Sequence, residues 1–178
     1  MWTHSIWFKL CFAAGSVSLL LWCGCQSSDP KGKGLVATLR LHQEVNADST
    51  DRSSRVPVFR QMPVLVNVEK SPFLDERYVT NAIVVEDMGG FALKVQFDDS
   101  GTKVLEQYST ANRGRHYAIF TQFGETNAQQ RWLAAPLFTR TISDGLIIFT
   151  PDATREEAEQ IALGVLNLKK QIVKKGEW

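Results

Sequence analysis

The chain has 178 residues, with 20 Lys+Arg against 19 Asp+Glu for a formal charge of +1, and it is 44% apolar and 22% charged. This composition excludes wholesale disorder, collagen-like repeats and a pure coiled coil, and the length fits one domain preceded by a targeting segment. The near-neutral balance excludes recognition of nucleic acid by bulk charge, so no nucleic-acid partner is expected.

All three cysteines, Cys11, Cys23 and Cys25, fall at the N-terminus. An apolar run from Leu10 to Trp22 follows a start whose only lysine is Lys9. The run has the length of a signal-peptide core and is shorter than the roughly 20 residues needed to span a bilayer. It ends in Leu21-Trp22-Cys23-Gly24-Cys25. That ending resembles a bacterial lipobox, in which a small residue precedes the cysteine to be acylated. Gly24 fits, whereas Trp22 stands where Leu is usual. The reading is a lipoprotein signal peptide over 1–24, acylation of Cys25 by palmitate-type chains, a flexible tether over 25–34 and a globular domain over 35–178. An uncleaved signal anchor or a plain secretory signal cut elsewhere is the alternative. Removal of 1–24 would take Lys9 and no acid, leaving a neutral chain with no free thiol. Such a domain is neither a disulfide scaffold nor a thiol enzyme, and its core alone must hold it together.

Leu35, Ala37, Leu39 and Leu41 alternate with Val36, Thr38, Arg40 and His42, a half-buried strand. Asn46 to Arg55 reads as an exposed loop. Val56 to Arg60, between prolines, reads as an edge strand, and Pro63 to Glu69 as a strand with Val64, Val66 and Val68 on one face. Ser71-Pro72 has the form of a helix start, which predicts a short helix to about Thr80. Ala82 to Glu86 and Phe91 to Phe97 form a hairpin turning at Gly89-Gly90. Asp98-Asp99-Ser100 opens a helix to about Asn112 with Val104, Leu105, Tyr108 and Ala111 inward, stopped by Gly114. Strands follow over Arg115 to Phe123, Arg131 to Phe138 and Leu146 to Thr150, the first two flanking the polar loop Gly124 to Gln130. Thr154-Arg155-Glu156-Glu157 is a capping box for an amphipathic helix with Ala158, Ile161, Ala162, Val165 and Leu168 inward. The fold class is α+β, a single mostly antiparallel sheet with two main helices on one face.

An ordered series of motifs runs through this pattern. A small helix leads to an Ala-containing strand (Leu74 to Val84, with Ala82), and the next strand ends in Phe97-Asp98. Gly101 and a helix to Tyr108 follow, then Thr110, Asn112, Gly114, Ala118 and Ile119. Ala135-Pro136, an Ile142 to Gly145 turn and the Glu156-Glu157-Ala158 to Ile161-Ala162 helix close the series. Over about residues 64–168 the order resembles the head subdomain of the first periplasmic domain (the P1 head) of the SecD protein-export subunit. The family usually reads Leu-Asp-Gly before the Ala-Pro element, whereas this chain reads Thr121-Gln122-Phe123-Gly124 and a longer insert. SecD proteins also carry six transmembrane helices, and after Cys25 this chain has no comparable apolar run. The resemblance therefore implies a SecD P1 head-like fold and a polypeptide-binding surface, without the membrane-embedded proton relay.

Candidate sites are few. His42 and His116 lie on different predicted strands without metal spacing, so no metal and no cofactor are expected. Asp98 and Asp99 read as helix caps, and none of the nucleophile, phosphate-loop or dinucleotide motifs occurs. Asn112-Arg113-Gly114-Arg115 places two cations at a turn, and Trp132 with Phe138 offers an aromatic patch. Asn112, Arg113, Arg115 and Trp132 are accordingly the candidate polypeptide or anion contacts. Lys169, Lys170, Lys174 and Lys175 complement a helix C-terminus or meet anionic headgroups. The expectation is a lipid-anchored, non-enzymatic periplasmic domain that binds exported polypeptides or Sec and other envelope proteins. The alternatives are a small envelope hydrolase using Asp98, Asp99 or Asp144, and a purely structural tethering lipoprotein.

Overall fold

The computed structural model describes residues 34–47, 51–124 and 129–176. The expected signal peptide, Cys25, nearly all of the tether and part of the Gly124–Gln130 loop lie outside these residues. The elements in chain order are β1 (Arg40–Gln43), β2 (Ser53–Val58), β3 (Val64–Glu69), β4 (Val79–Asp87), β5 (Gly90–Phe97), α1 (Asp99–Ala111), β6 (Tyr117–Phe123), β7 (Gln129–Ala134), β8 (Leu146–Phe149) and α2 (Arg155–Lys175).

The class is α+β as expected, but the strands divide among three antiparallel sheets rather than one: β4-β5-β8, β1-β6-β7 and the hairpin β2-β3. The reason is non-local. β5 and β6 each spend both edges on their own neighbours, and the two three-stranded sheets then share a core instead of an edge. Leu41, Ile119 and Leu133 from one sheet meet Val79, Leu93, Val95 and Ile147 from the other. Both helices close this core, α1 against β5 through Leu105 and α2 chiefly against β4 through Ile161, Ala162 and Val165. Leu168 and Ala111, expected inward, are only half-buried and exposed respectively.

Local signals placed both helices. Asp98 accepts the Gly101 N–H at 2.8 Å to cap α1, and Thr154 with Glu157 closes the capping box of α2. Gly176, at φ +69°, ends α2 in a left-handed cap. The helix expected from Ser71 to Thr80 is absent. Leu74 forms an antiparallel bridge with Leu41, and Phe73 and Leu74 exchange backbone bonds with it (2.9 and 2.8 Å), leaving only a 3-10 turn at Glu76–Tyr78 before β4. A β-partner presented by the core outcompeted a helix too short to stabilise itself.

Two further differences bear on the site. Ser53 to Arg55, read as loop, begins β2. β1 is buried on both faces rather than one, because His42, on the side away from the main core, is covered as well. The cover is the β2-β3 hairpin. Val56, Val58, Val66 and Val68 make a second, smaller core against Ala118, with Trp132 and Ala135 packed beside it.

Candidate functional site

The hairpin positions the site. β2 and β3 point Val56, Val58, Val66 and Val68 into the small core, and the five residues between Val58 and Val64 turn beyond its end. Phe59 opens that turn at φ +68°, the one non-glycine residue with positive φ among the described residues. A bulky side chain in the left-handed region costs about 1–3 kcal/mol and persists only where its surroundings impose it. Asp152 supplies that constraint. Its carboxylate accepts the Arg60 backbone N–H at 2.9 Å and the Arg60 Nε at 3.1 and 3.3 Å.

Asp152 is itself held by the main body. Its backbone N–H donates to the Leu133 carbonyl at 2.7 Å, and its own carbonyl accepts from Arg131 Nη1 at 3.0 Å. Arg131 also forks onto Glu157 at 2.7 and 3.0 Å and lies over the Phe123 ring. The Arg131 hydrogen bonds hold the Glu157 carboxyl below the usual range, outweighing its partial burial. Hairpin tip, β7 and the start of α2 are thereby joined through one aspartate.

Two adjoining hollows result, sharing Phe59 and Asp152. One, about 330 Å³, is lined by Pro57, Arg60, Pro63, Gln130, Arg131 and Trp132, and the other, about 430 Å³, by Gln61, Met62 and Val64. The rim is apolar and exposed: Met62 is 81% exposed, Val64 53% and Phe59 39%. Contiguous exposure of this kind on a small domain marks an interaction surface.

Trp132 forms the inner wall, its ring 5.0 Å from Phe120 and 5.1 Å from His42. His42, expected to be partly exposed, is only 6% exposed. Its Nδ1–H donates to the Glu69 carbonyl at 2.8 Å, so Nε2 carries the lone pair, and that atom has no hydrogen-bond partner. Burial lowers the imidazole pKa from its ordinary 6.5.

Of the residues expected from sequence, Trp132 lines the groove. Asn112, Arg113 and Arg115 stand apart at the α1–β6 turn. Asn112 bonds Gln43 and the Tyr108 carbonyl, and Arg115 reaches Asn46. His116 pairs with Glu44 at 3.0 Å. Asp98 caps α1 and meets Lys169 at 3.6 Å, Asp99 is exposed in the first turn, and Asp144 accepts the Leu146 N–H. These carboxylates serve local turns, which gives the hydrolase alternative no support. Sequence reading missed Phe59, Arg60, Met62 and Asp152. The one signal present was Met62 and Val64 astride Pro63, next to the polar pair Arg60-Gln61. A smaller cleft of about 240 Å³ follows the outer strand β8, between Ile147 and Ile148 and the segment holding Pro136, Leu137 and Arg140. No group of three or more potential metal ligands occurs among the described residues, and no described helix is long and apolar enough to cross a membrane.

No protein-family profile and no curated protein matches the chain. Solved structures do match. One, "Structure and function of a membrane component SecDF that enhances protein export", superposes with a TM-score of 0.54 at 18% identity, over 76% of this chain and 64% of that one. Another, "Crystal structure of SecDF in Super-membrane-facing form", gives 0.52 at 18% identity, over 76% of this chain and 19% of that one. The chain thus has a SecDF-like α+β fold and corresponds to only part of each of those chains.

Proposed function

We propose that this protein is a lipid-anchored, non-catalytic module on the extracytoplasmic face of a bacterial membrane. In this reading it is built like the P1 head of SecD and holds apolar segments of extended polypeptides in the hairpin-tip groove. The observation that carries the reading is the strained, aspartate-clamped turn, with Phe59 between the hollow lined by Trp132 and the adjoining one lined by Met62 and Val64. An apolar groove with a few fixed polar groups accepts many sequences, because its attraction scales with buried apolar area rather than with a side-chain code. That tolerance suits clients that share little beyond hydrophobicity and an unfolded backbone. The SecDF-like fold supports a place beside protein export, and the lipobox-like Gly24-Cys25 supports the anchor.

Photocrosslinking in intact cells from position 62 tests it. Adducts with many newly exported polypeptides are expected, and they should disappear in Met62→Asp/Val64→Asp, whose exposed sites leave the fold unchanged. Adducts with one stable partner alone would replace this reading with a tether. Mass spectrometry of the membrane form should find acyl chains on Cys25; an unmodified thiol there would refute the anchor.

A further inference from the structure

We propose that the C-terminal half of α2 is a docking face for an anionic lipid surface. This goes beyond the groove reading and rests on the membrane-anchored reading only for what brings the domain to the bilayer. The first observation is where the chain joins the domain. Asn167 Nδ2 donates to the Leu35 carbonyl at 3.1 Å, and Gly164 packs directly on Val36 and Ala37. The segment from Leu35 to Ala37 therefore packs along the middle of α2. The apolar run Leu10 to Trp22 ends only a short way upstream of Leu35. Twelve residues, 23–34, separate the run from Leu35, and even fully extended they span at most about 40 Å, so whatever holds the run keeps α2 within that distance.

The second observation is what the C-terminal half of α2 presents on another side of the helix, next to β4. Leu166, Lys169, Lys170, Val173 and Lys174 line one stripe, forming with Thr80 a shallow hollow of about 320 Å³. Val173 is 51% and Leu163 41% exposed, while Lys170, Lys174 and Lys175 stand in solvent. After Glu159 the helix contains no acid. Cations at a helix C-terminus complement the macrodipole, which accounts for lysines but not for exposed valine and leucine among them. Lys169 is paired with Asp98, but apolar side chains between the exposed Lys170, Lys174 and Lys175 match the boundary between acyl chains and anionic headgroups, where lysine stems can follow the apolar layer and ammonium groups the headgroups.

The test uses the full chain reconstituted into vesicles of phosphatidylcholine alone and into vesicles that also contain phosphatidylglycerol. Backbone hydrogen exchange across α2 is compared between them. Residues 166–175 should gain protection only with phosphatidylglycerol, and the gain should be lost in Lys170→Gln/Lys174→Gln/Lys175→Gln and at high salt. Retention on both vesicle types with exchange that ignores lipid charge and the lysine substitutions would overturn the inference and leave the anchor standing. Failure to bind neutral vesicles, with lysine-dependent binding to anionic ones, would overturn the anchor and support the docking face. Binding to neither would overturn both.

Discussion

At its N-terminal end α2 is locked into the protein. Glu157 takes both Arg131 nitrogens, Thr154 and Glu157 cap each other, and Asp152 just before them clamps the hairpin tip. At its C-terminal end the ties thin out after Asn167 and Lys169, and the last turns face solvent with lysines and a bare valine. A helix of 21 residues is about 30 Å long, so the groove and the lysine face stand at opposite ends of one rigid rod. The difference separates two kinds of surface. A binding groove needs its strained turn over-determined by fixed partners, whereas a surface that meets fluid lipid gains from charge and mobile stems and needs no such frame.

The largest effect should come from the seam at the chain's entry. A Cβ at Gly164 would sit 2.8 Å from both the Cβ and the backbone nitrogen of Ala37. Gly164→Val is expected to cost about 1–3 kcal/mol in urea unfolding and to loosen residues 35–37 in hydrogen exchange, while the clamp at Asp152 stays intact. At the other end, Asp152→Ala removes the acceptor of the Arg60 N–H. It should cost about 1 kcal/mol and weaken polypeptide capture by more than its stability loss implies, read by crosslinking yield from position 62. Phe59→Gly should separate the two quantities outright. Relief of the left-handed phenylalanine leaves stability unchanged or raises it by up to about 1 kcal/mol, while capture falls because the groove loses a wall.

The smallest effect is a pH slope. Burial holds the folded pKa of His42 below 6.5, so as pH falls the unfolded chain takes up this proton before the folded one does. The contribution of His42 to stability is complete above 6.5 and is lost as pH drops from there toward the folded value. His42→Leu should flatten that part of the stability profile, measured by urea unfolding between about pH 7.5 and 5.5.

Both helices were legible in advance because their signals are contained in a few neighbouring residues: Asp98 ahead of α1, the Thr154–Glu157 box ahead of α2 and the apolar spacing of Ala158, Ile161, Ala162 and Val165. The β4-β5 hairpin was legible for the same reason, through Gly89-Gly90 and the alternation that follows. The groove was largely hidden. Trp132 stood out as an aromatic in a polar stretch, but Phe59 and Asp152 are separated by most of the chain and meet only because β7 carries residue 152 to the hairpin tip. The expected helix after Ser71 failed on the same ground, since Leu41 offered Phe73 and Leu74 a strand partner that no local signal announces.

By itself, then, the amino-acid sequence determined the α+β class, the cap of each helix, the clearest hairpin and the lysine-rich end of α2. Propensity, capping and periodicity act over a few residues, and these features need nothing more. Only the tertiary structure decided how the eight strands of the described residues divide into three sheets, that His42 lies buried beneath a second hairpin, and that Asp152 holds Phe59 in a conformation it would otherwise leave. Those outcomes depend on which edges and faces find one another across long stretches of chain, where the deciding energy belongs to the packed pair and to neither partner alone.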